Sequence, residues 1–475
     1  MSAVRQKPRR AGSHRRRAGA EPREVVGASK RERGDGRPEP SQTQLMERCV
    51  ERDNVLRAWK RVKANGGSPG VDGMRVEEAG QWLRAHWPGI RRELLEGRYQ
   101  PAPIRRAEIP KTGGGMRQLG IPTVLDRLVQ QCILQILQPI WDPTFHADSY
   151  GFRPGKSAHQ AICRAQQLVQ EGRRYCVDVD LEKFFDRVNH DVLMDRVGKR
   201  IADKRLVDLI RRYLRAGVLA QGLSTERTEG TPQGGPLSPL LANLLLNEVD
   251  WELEKRGLSF VRYADDCNVY LRSRRAAERT MRTMEKLMGK LRLRINRDKS
   301  AVARATERKF LGYRLWIGSG RLVKRSVAPQ ALEKFRQRVK ELTGRSRGRS
   351  VEQTVKELRR YLLGWKSYFS LADTPGIFAE LDSWIRRRLR MTYLKQWKRG
   401  KTWYRELTAR GLSQHAAASI ASRSRGYWAM AGTSGLSIAF PNSHFDSLGL
   451  PQLGVPRLRN RPVRSRTPGG VGGRG

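Results

Sequence analysis

Acidic residues are scarce in this 475-residue chain. Asp and Glu total 47 against 94 Lys and Arg, so the formal net charge is 94 − 47 = +47. A surface built for solubility alone mixes both signs, and an excess of this size points to a polyanionic partner. Cysteine is also scarce: Cys49, Cys132, Cys163, Cys176 and Cys267 are scattered, with no C-x-x-C pair. Neither a zinc ribbon nor a disulfide framework can be built on that spacing, and a reducing compartment is the expectation. No apolar run reaches the length of a membrane span, and the amino terminus lacks the apolar core of a signal peptide, so no membrane partner is expected. A repeat of fixed period is lacking too.

What is present suffices for substantial cores. Hydrophobic residues make up 38 % of the chain, and its length suggests roughly three domains. Residues 1–44 are rich in Arg, Gly, Ala and Pro, cannot bury enough apolar surface to offset ordering entropy, and read as an unfolded basic arm. The first twenty have the Arg-rich, acid-free composition of a transit peptide without its apolar periodicity. Organelle targeting is therefore the lesser alternative to a bacterial cytoplasmic protein held near the nucleoid by nucleic acid.

Structure is expected to begin near Leu45. A helix through Val55, Trp59 and Val62 runs into the turn-dense NGGSPGVDG, and a second spans about Val76 to Leu95. Gly113, Gly114 and Gly115 read as a hairpin tip, and Thr123 with Asp126 as a helix start. A strand is expected over 175–181. Leu240, Leu241, Leu244, Leu245, Val249 and Leu253 then repeat at helical spacing up to Gly257. After the FVRYADDCNVYL hairpin come a basic helix over 274–292 and a second strand pair around KFLGYRLWIG and RLVKRSVA. From about Pro329 the pattern turns helical, in three amphipathic segments studded outside with Lys and Arg. Their aromatic stripes suit a bundle core better than base-stacking platforms, and their basic faces are the candidate nucleic-acid surface.

Two carboxylates stand side by side at the hairpin tip, Asp265 and Asp266. Asp is a favoured turn residue, and an isolated pair would be read as no more than a turn. The strand VDVDLEKFFD supplies further carboxylates in Asp178 and Asp180, two apart and on one side. Clustered like charges are costly unless cations neutralise them, and such oxygen donors suit Mg²⁺. Two such ions roughly 4 Å apart can activate a 3′ hydroxyl and steady a leaving pyrophosphate.

Taken in order, IPKTGGGMRQLGIPTVLDRLVQQ, SYGFRPGKSAHQA, DLEKFFD, TPQGGPLSPLLANLLL, YADD and FLGY resemble the reverse transcriptase blocks of bacterial group II intron-encoded proteins. NGGSPGVDG resembles their N-terminal extension, and YLLGWKSYFSLADTP with LDSWIRRRLRMTYLKQWK their maturase, or thumb, region. The resemblance implies an α+β right-hand polymerase fold followed by an all-α thumb. It divides the chain into an arm (1–44), an N-terminal extension (45–108), fingers and palm (109–328), thumb helices (329–400), a basic C-terminal module (401–455) and a disordered tail (456–475). The implied activity is two-metal, RNA-directed DNA synthesis from deoxynucleoside triphosphates on a DNA primer, with Mg²⁺, or Mn²⁺ in its place. Intron RNA, RNA template and target DNA are the implied partners, with affinity falling steeply with salt. Neither paired cysteines nor a His/Asn cluster follows residue 400, so the resemblance is to members without a C-terminal endonuclease.

Carried over residue by residue, Asp180, five positions before Phe185, is a catalytic metal ligand with Asp265, Asp266 and the Leu181 backbone carbonyl, and Asp178 is a bystander. Phe185 would sit beneath the sugar and exclude a 2′ hydroxyl; a core phenylalanine beside Phe184 is the alternative. Lys111 and Arg117 would close on the triphosphate, and a solvated hairpin with two exposed cations is the alternative. Gln233 would reach the nucleotide sugar or the template base, Lys299 the phosphates. Leu311, Gly312 and Tyr313 would grip the primer end, against an ordinary buried strand. A splicing maturase whose polymerase activity is dispensable or lost and a domesticated, free-standing host reverse transcriptase are the rival functions; a nucleotidyl cyclase sits badly with so extensive a basic thumb.

Overall fold

The computed structural model describes residues 44–110, 116–220, 223–225, 229–231, 234–344, 348–422 and 426–454. The basic arm up to residue 43, the Gly113–Gly115 tip, Lys111, Gln233 and the C-terminal tail lie outside them. The chain opens with α1 (Leu45–Cys49), α2 (Arg52–Asn65) and α3 (Val76–Leu95), followed by the antiparallel pair β1 (Ile104–Pro110) and β2 (Met116–Ile121). Helix α4 (Val124–Trp141) starts where the Thr123 hydroxyl accepts the Asp126 backbone N–H. Helix α5 (Ala158–Gln170) starts on a Ser157–Gln160 capping box and leads to β3 (Tyr175–Val179). Then come α6 (His190–Gly198), α7 (Lys204–Arg215), the short strands β4 (Val218–Ala220) and β5 (Leu223–Thr225), and α8 (Ser238–Lys255). The hairpin β6 (Ser259–Tyr263) and β7 (Asp266–Leu271), helix α9 (Arg274–Lys290) and strand β8 (Ala301–Arg304) complete the palm.

The palm sheet is antiparallel in the order β6-β7-β3-β8. Side chains alternate across a strand, and here both faces are covered. Val177, Val179, Phe260 and Val269 join the main core with Leu241, Leu245 and Val249 of α8 and Met284 and Met288 of α9. Cys176, Val261 and Tyr270 enter a smaller core with Ala161 and Leu168 of α5. Double burial explains why β7 lacks the polar alternation of a half-exposed strand. The fingers carry a second sheet, β2-β1-β4-β5, in which β1 and β4 run parallel.

Past the palm, β9 (Lys309–Phe310), β10 (Tyr313–Ile317) and β11 (Val323–Val327) form a third sheet. The expected helices follow as α10 (Pro329–Leu342), α11 (Val351–Tyr368) and α12 (Pro375–Trp397). Their apolar stripes meet in one core that continues through α13 (Gly400–Ala409), α14 (Gln414–Ala421), α15 (Tyr427–Met430), α16 (Ser434–Ala439) and α17 (Asn442–Ser447). Phe335, Trp365, Ile385, Leu407, Phe440 and Phe445 lie together in it, so these aromatics serve as core rather than as a stacking platform. Among the described residues no helix is long and apolar enough to cross a membrane.

Asp126 knits the N-terminal extension to the fingers. Its buried carboxylate accepts from the hydroxyls of Tyr99 (2.8 Å), Tyr213 (3.2 Å) and Thr123 (2.7 Å) and from the Ala102 N–H (3.2 Å). Burial pushes the carboxyl above its ordinary value, and these donors pull against that shift. Replacing Tyr99 by Phe removes one charge-assisted bond and should lower unfolding free energy in urea by about 1.5–3 kcal/mol. An unchanged midpoint would deny the bond any role.

Candidate active site

The β6–β7 hairpin closes with Tyr263 opposite Asp266, leaving Ala264 and Asp265 as a two-residue turn. Ala264 has φ +58°, a left-handed conformation that hairpin turns favour and an alanine resists. Strand β3 pairs with β7 up to Val179 opposite Cys267. Continued by two residues, that register sets Asp180 opposite Asp266 and Leu181 opposite Asp265. On its other side Leu181 bridges Ile295, flanked by bonds from the Asn296 N–H to the Asp180 carbonyl and from the Glu182 N–H to the Arg294 carbonyl. In such a non-hydrogen-bonded pair a residue's own polar groups face away from its partner, so the Leu181 carbonyl is turned toward the Asp265 side.

The carboxylates feel one another. Asp266 keeps an exposed surface at the end of the hairpin, yet the protein packed around its carboxyl desolvates it and lifts it to about 6, with further upward pushes from Asp265, Asp180 and Asp178. Asp178 is taken up by Arg308, whose guanidinium lies 2.6 Å from its carboxylate. Asp180 has the Lys299 ammonium at 3.6 Å, which brings the expected phosphate-side lysine to the carboxylate cluster. Among the described residues no three His, Cys, Asp or Glu side chains close a metal cage by themselves. The donors still fit Mg²⁺, because that ion commonly takes one or two protein carboxylates and completes its shell with water and phosphate. Asp180, Asp265, Asp266 and the Leu181 carbonyl are the groups that would hold it.

Beneath the turn lies a support that sequence reading missed. Arg262 is almost fully buried, and its Nε and Nη2 grip the Asp250 carboxylate of α8. Its Nη1 donates to the Ala264 carbonyl and to the Asn243 side-chain oxygen, both at 2.9 Å. Asn243 donates in turn to the Gly151 carbonyl at 2.8 Å. A Cβ on Gly151 would stand 2.2 Å from the Ala264 nitrogen, so the SYGF segment can lie against the turn only with glycine there. The signal was present in the helix: Asp250 shares a face with Leu246 and Leu253, an acid where the buried side calls for an apolar residue.

Phe184 and Phe185 differ in burial, although both touch the main core. Phe184 is buried in the main core, whereas Phe185 packs on it edge-on at 5.1 Å and faces a cavity of about 510 Å³. Leu119, Arg127, Gly234 and Gly235 share that wall. A Cβ on Gly235 would meet the Gln130 side-chain oxygen at 2.3 Å, which seats the Gly-Gly pair after Gln233 tightly against α4. The Arg117 backbone pairs with Ile109 in the fingers hairpin.

Leu311 and Gly312 both have left-handed backbone, φ +51° and +77°, and make the tight turn between β9 and β10. The thumb clasps it. The Tyr368 hydroxyl donates to the Leu311 carbonyl at 2.9 Å, the Tyr313 hydroxyl donates to the Tyr368 carbonyl at 2.5 Å, and Phe369 lies against Gly312. Desolvation raises the Tyr368 phenol, and Tyr263 and Asp266 add to the shift.

The pattern of the reverse transcriptase (RNA-dependent DNA polymerase) family matches residues 109–315, and that of the group II intron maturase-specific domain matches residues 332–411. Protein YkfC of Escherichia coli (strain K12) is 37 % identical over 288 residues, which cover 52 % of this chain and 76 % of YkfC. The group II intron-encoded protein LtrA of Lactococcus lactis subsp. cremoris is 35 % identical over 209 residues, 44 % of this chain and 35 % of LtrA. An uncharacterized 91 kDa protein in the cob intron of Schizosaccharomyces pombe is 32 % identical over 218 residues, 44 % of this chain and 26 % of that protein. The chain therefore spans most of YkfC but only about a third of LtrA.

Arg262→Met strands a buried carboxylate and should cost about 3–5 kcal/mol of stability. Arg262→Met with Asp250→Leu should recover most of that loss yet leave primer extension impaired, because the Ala264 carbonyl still lacks its donor. Urea unfolding and extension rates measured on both variants decide; activity that returns with stability would reduce Arg262 to packing.

Proposed function

Because the chain belongs to the reverse transcriptase and maturase family of group II intron-encoded proteins, we propose that it extends a DNA primer on an RNA template at the Asp180, Asp265 and Asp266 cluster. The observation that carries this reading is the approach of the YADD turn and the end of β3 on one antiparallel sheet, beside a cavity that Phe185 walls. Group II intron RNA is the proposed partner of the basic helices, in splicing and in mobility.

The residues divide the work. The three carboxylates and the Leu181 carbonyl would hold divalent cations, Mg²⁺ by donor chemistry. The chemistry such ions supply when bound is activation of the primer 3′ hydroxyl and charge neutralisation at the leaving pyrophosphate. Lys299, beside Asp180, supplies positive charge where triphosphate oxygens would lie; Lys111 and Arg117 would close over the same group from the fingers hairpin, and Gln233 would meet the sugar or the template base. Phe185 presents a ring face that leaves no room for a 2′ hydroxyl. The Leu311–Tyr313 turn, fixed by Tyr368, orients the primer end by its rigidity, since a reacting atom misplaced by an ångström costs orders of magnitude in rate.

Labelled deoxynucleotide incorporation on an annealed RNA template and DNA primer with Mg²⁺ tests the proposal. Asp265→Asn with Asp266→Asn should abolish extension while RNA binding persists and the melting temperature holds or rises, since like charges leave a partly buried cluster. If neither chain extends the primer while both bind RNA tightly, the protein is an RNA-binding maturase without polymerase activity. Phe185→Ala should lower the preference for deoxy- over ribonucleotides about tenfold or more, read from kcat/KM for the two; an unchanged ratio would return Phe185 to the core.

A further inference from the structure

Two arginines one turn apart on α12, Arg386 and Arg390, are each about nine-tenths buried, 8 % exposed by residue surface. They line an open cavity of about 730 Å³ together with Asp382, Ser383, Ser437, Asn442 and Gln452. Arg390 is partly satisfied, donating from Nε and Nη2 to the Phe440 carbonyl at 3.2 and 2.9 Å. The Arg386 Nε is buried and has no hydrogen-bond partner among the described residues. Neither guanidinium has a carboxylate within ion-pair distance among the described residues.

Asp382, one turn before Arg386, puts a carboxylate in the same wall, but that carboxylate is taken up by backbone donors. Its carboxylate accepts the Leu453 N–H at 2.9 and 3.0 Å and the Gly454 N–H at 2.9 Å. No Asp or Glu follows Asp446 in the sequence, so residues 455–475 hold no acidic side chain to supply the missing counter-charge. Burial and the neighbouring Arg386 both depress the Arg390 guanidinium. Two buried like charges without an acidic partner are destabilising unless an anion enters between them. A guanidinium presents a planar fork that matches phosphate oxygens, and hydroxyl and amide groups around the rim can complete such a shell.

We propose that the Arg386–Arg390 cavity is a phosphodiester-binding site, taking one backbone phosphate of a bound nucleic acid into the C-terminal helical module. The proposal rests on the nucleic-acid reading above and adds to it a defined anion site away from the carboxylate cluster. It also explains the burial: a phosphate held by desolvated arginines is held more tightly than one on an exposed lysine face.

The test uses the full chain, with fluorescein-labelled RNA and DNA duplexes of one sequence titrated across a salt series. Arg386→Gln should weaken binding about tenfold and flatten the log Kd against log salt slope by about one phosphate contact. Ser383→Glu, at an exposed rim position, should produce a similar loss without touching the buried pair. The melting temperature of Arg386→Gln should stay level or rise, since an unpaired buried charge is removed. A loss confined to the RNA duplex assigns the phosphate to RNA, and one confined to DNA assigns it to target DNA. Unchanged affinity and slope in both variants on both duplexes would overturn the proposal. Primer extension by the same preparations reports on the polymerase reading independently, because the carboxylate cluster is intact in them.

Discussion

The buried ion pair between Arg262 and Asp250 is the interaction on which the acidic turn depends. A turn that carries two carboxylates and an alanine in left-handed backbone has every reason to relax: the charges repel, and the φ costs about 1–2 kcal/mol. It is held because one guanidinium spends its fork on Asp250, its remaining nitrogen on the Ala264 carbonyl, and shares Asn243 with the SYGF segment. Lysine could not do this, since a single ammonium lacks the planar geometry that satisfies three directions at once. The pair also explains why α8 lies where it does. Asn243 and Asp250 are seven apart, two turns along one face, so the helix must present that face to the strand.

Positive charge around the site is allotted rather than spread evenly. Asp178 and Asp180 stand two residues apart and would look equivalent by spacing, yet Arg308 neutralises the first, while the second has, among the described residues, an exposed lysine 3.6 Å away as its cation. A carboxylate locked to a half-buried arginine is a poor ligand for a divalent cation, and one beside an exposed, solvated ammonium remains available. The upward shift of Asp266 follows from the same arrangement, with desolvation first and its acidic neighbours after. In a chain of net charge +47 this is a small negative island inside a positive field, suited to hold a cation and a polyanion side by side.

Much of this was legible in the sequence because it rests on local rules. The α3 span, the Thr123 cap, the Ser238–Lys255 helix closed by Gly257, the hairpin and the three thumb helices each follow from periodicity and punctuation. The strand expected over 175–181 ends at Val179, and Leu181 continues only as an isolated bridge, because pairing there passes from β8 to the Ile295 segment. What stayed hidden were contacts between distant segments. Arg262 reads as one more basic residue in a basic chain until Asp250 is seen beneath it, and Tyr368 carries no mark of a role until its hydroxyl is seen on Leu311. Phe184 and Phe185 are indistinguishable by type and adjacent in sequence; only the short turn that carries them decides which faces the core.

That clasp joins the helical core of the maturase-specific domain to the palm. Trp365 and Phe369 sit 4.7 Å apart in the thumb core, and Phe369 packs on both Tyr313 and Tyr368. His159 of α5 reaches the Tyr368 carbonyl at 2.6 Å, so the same residue is held from the palm side as well. The end of α11 is therefore fixed by aromatic packing and hydrogen bonds on both flanks, with no flexible tether between the thumb core and the Leu311–Gly312 turn. Packed aromatic clusters have few alternative arrangements, so a load on α10, α11 or α12 is passed to that turn rather than absorbed. On the function proposed here, nucleic acid held by the basic helices would bias that turn directly, and the thumb and palm would be coupled by packing instead of by a hinge.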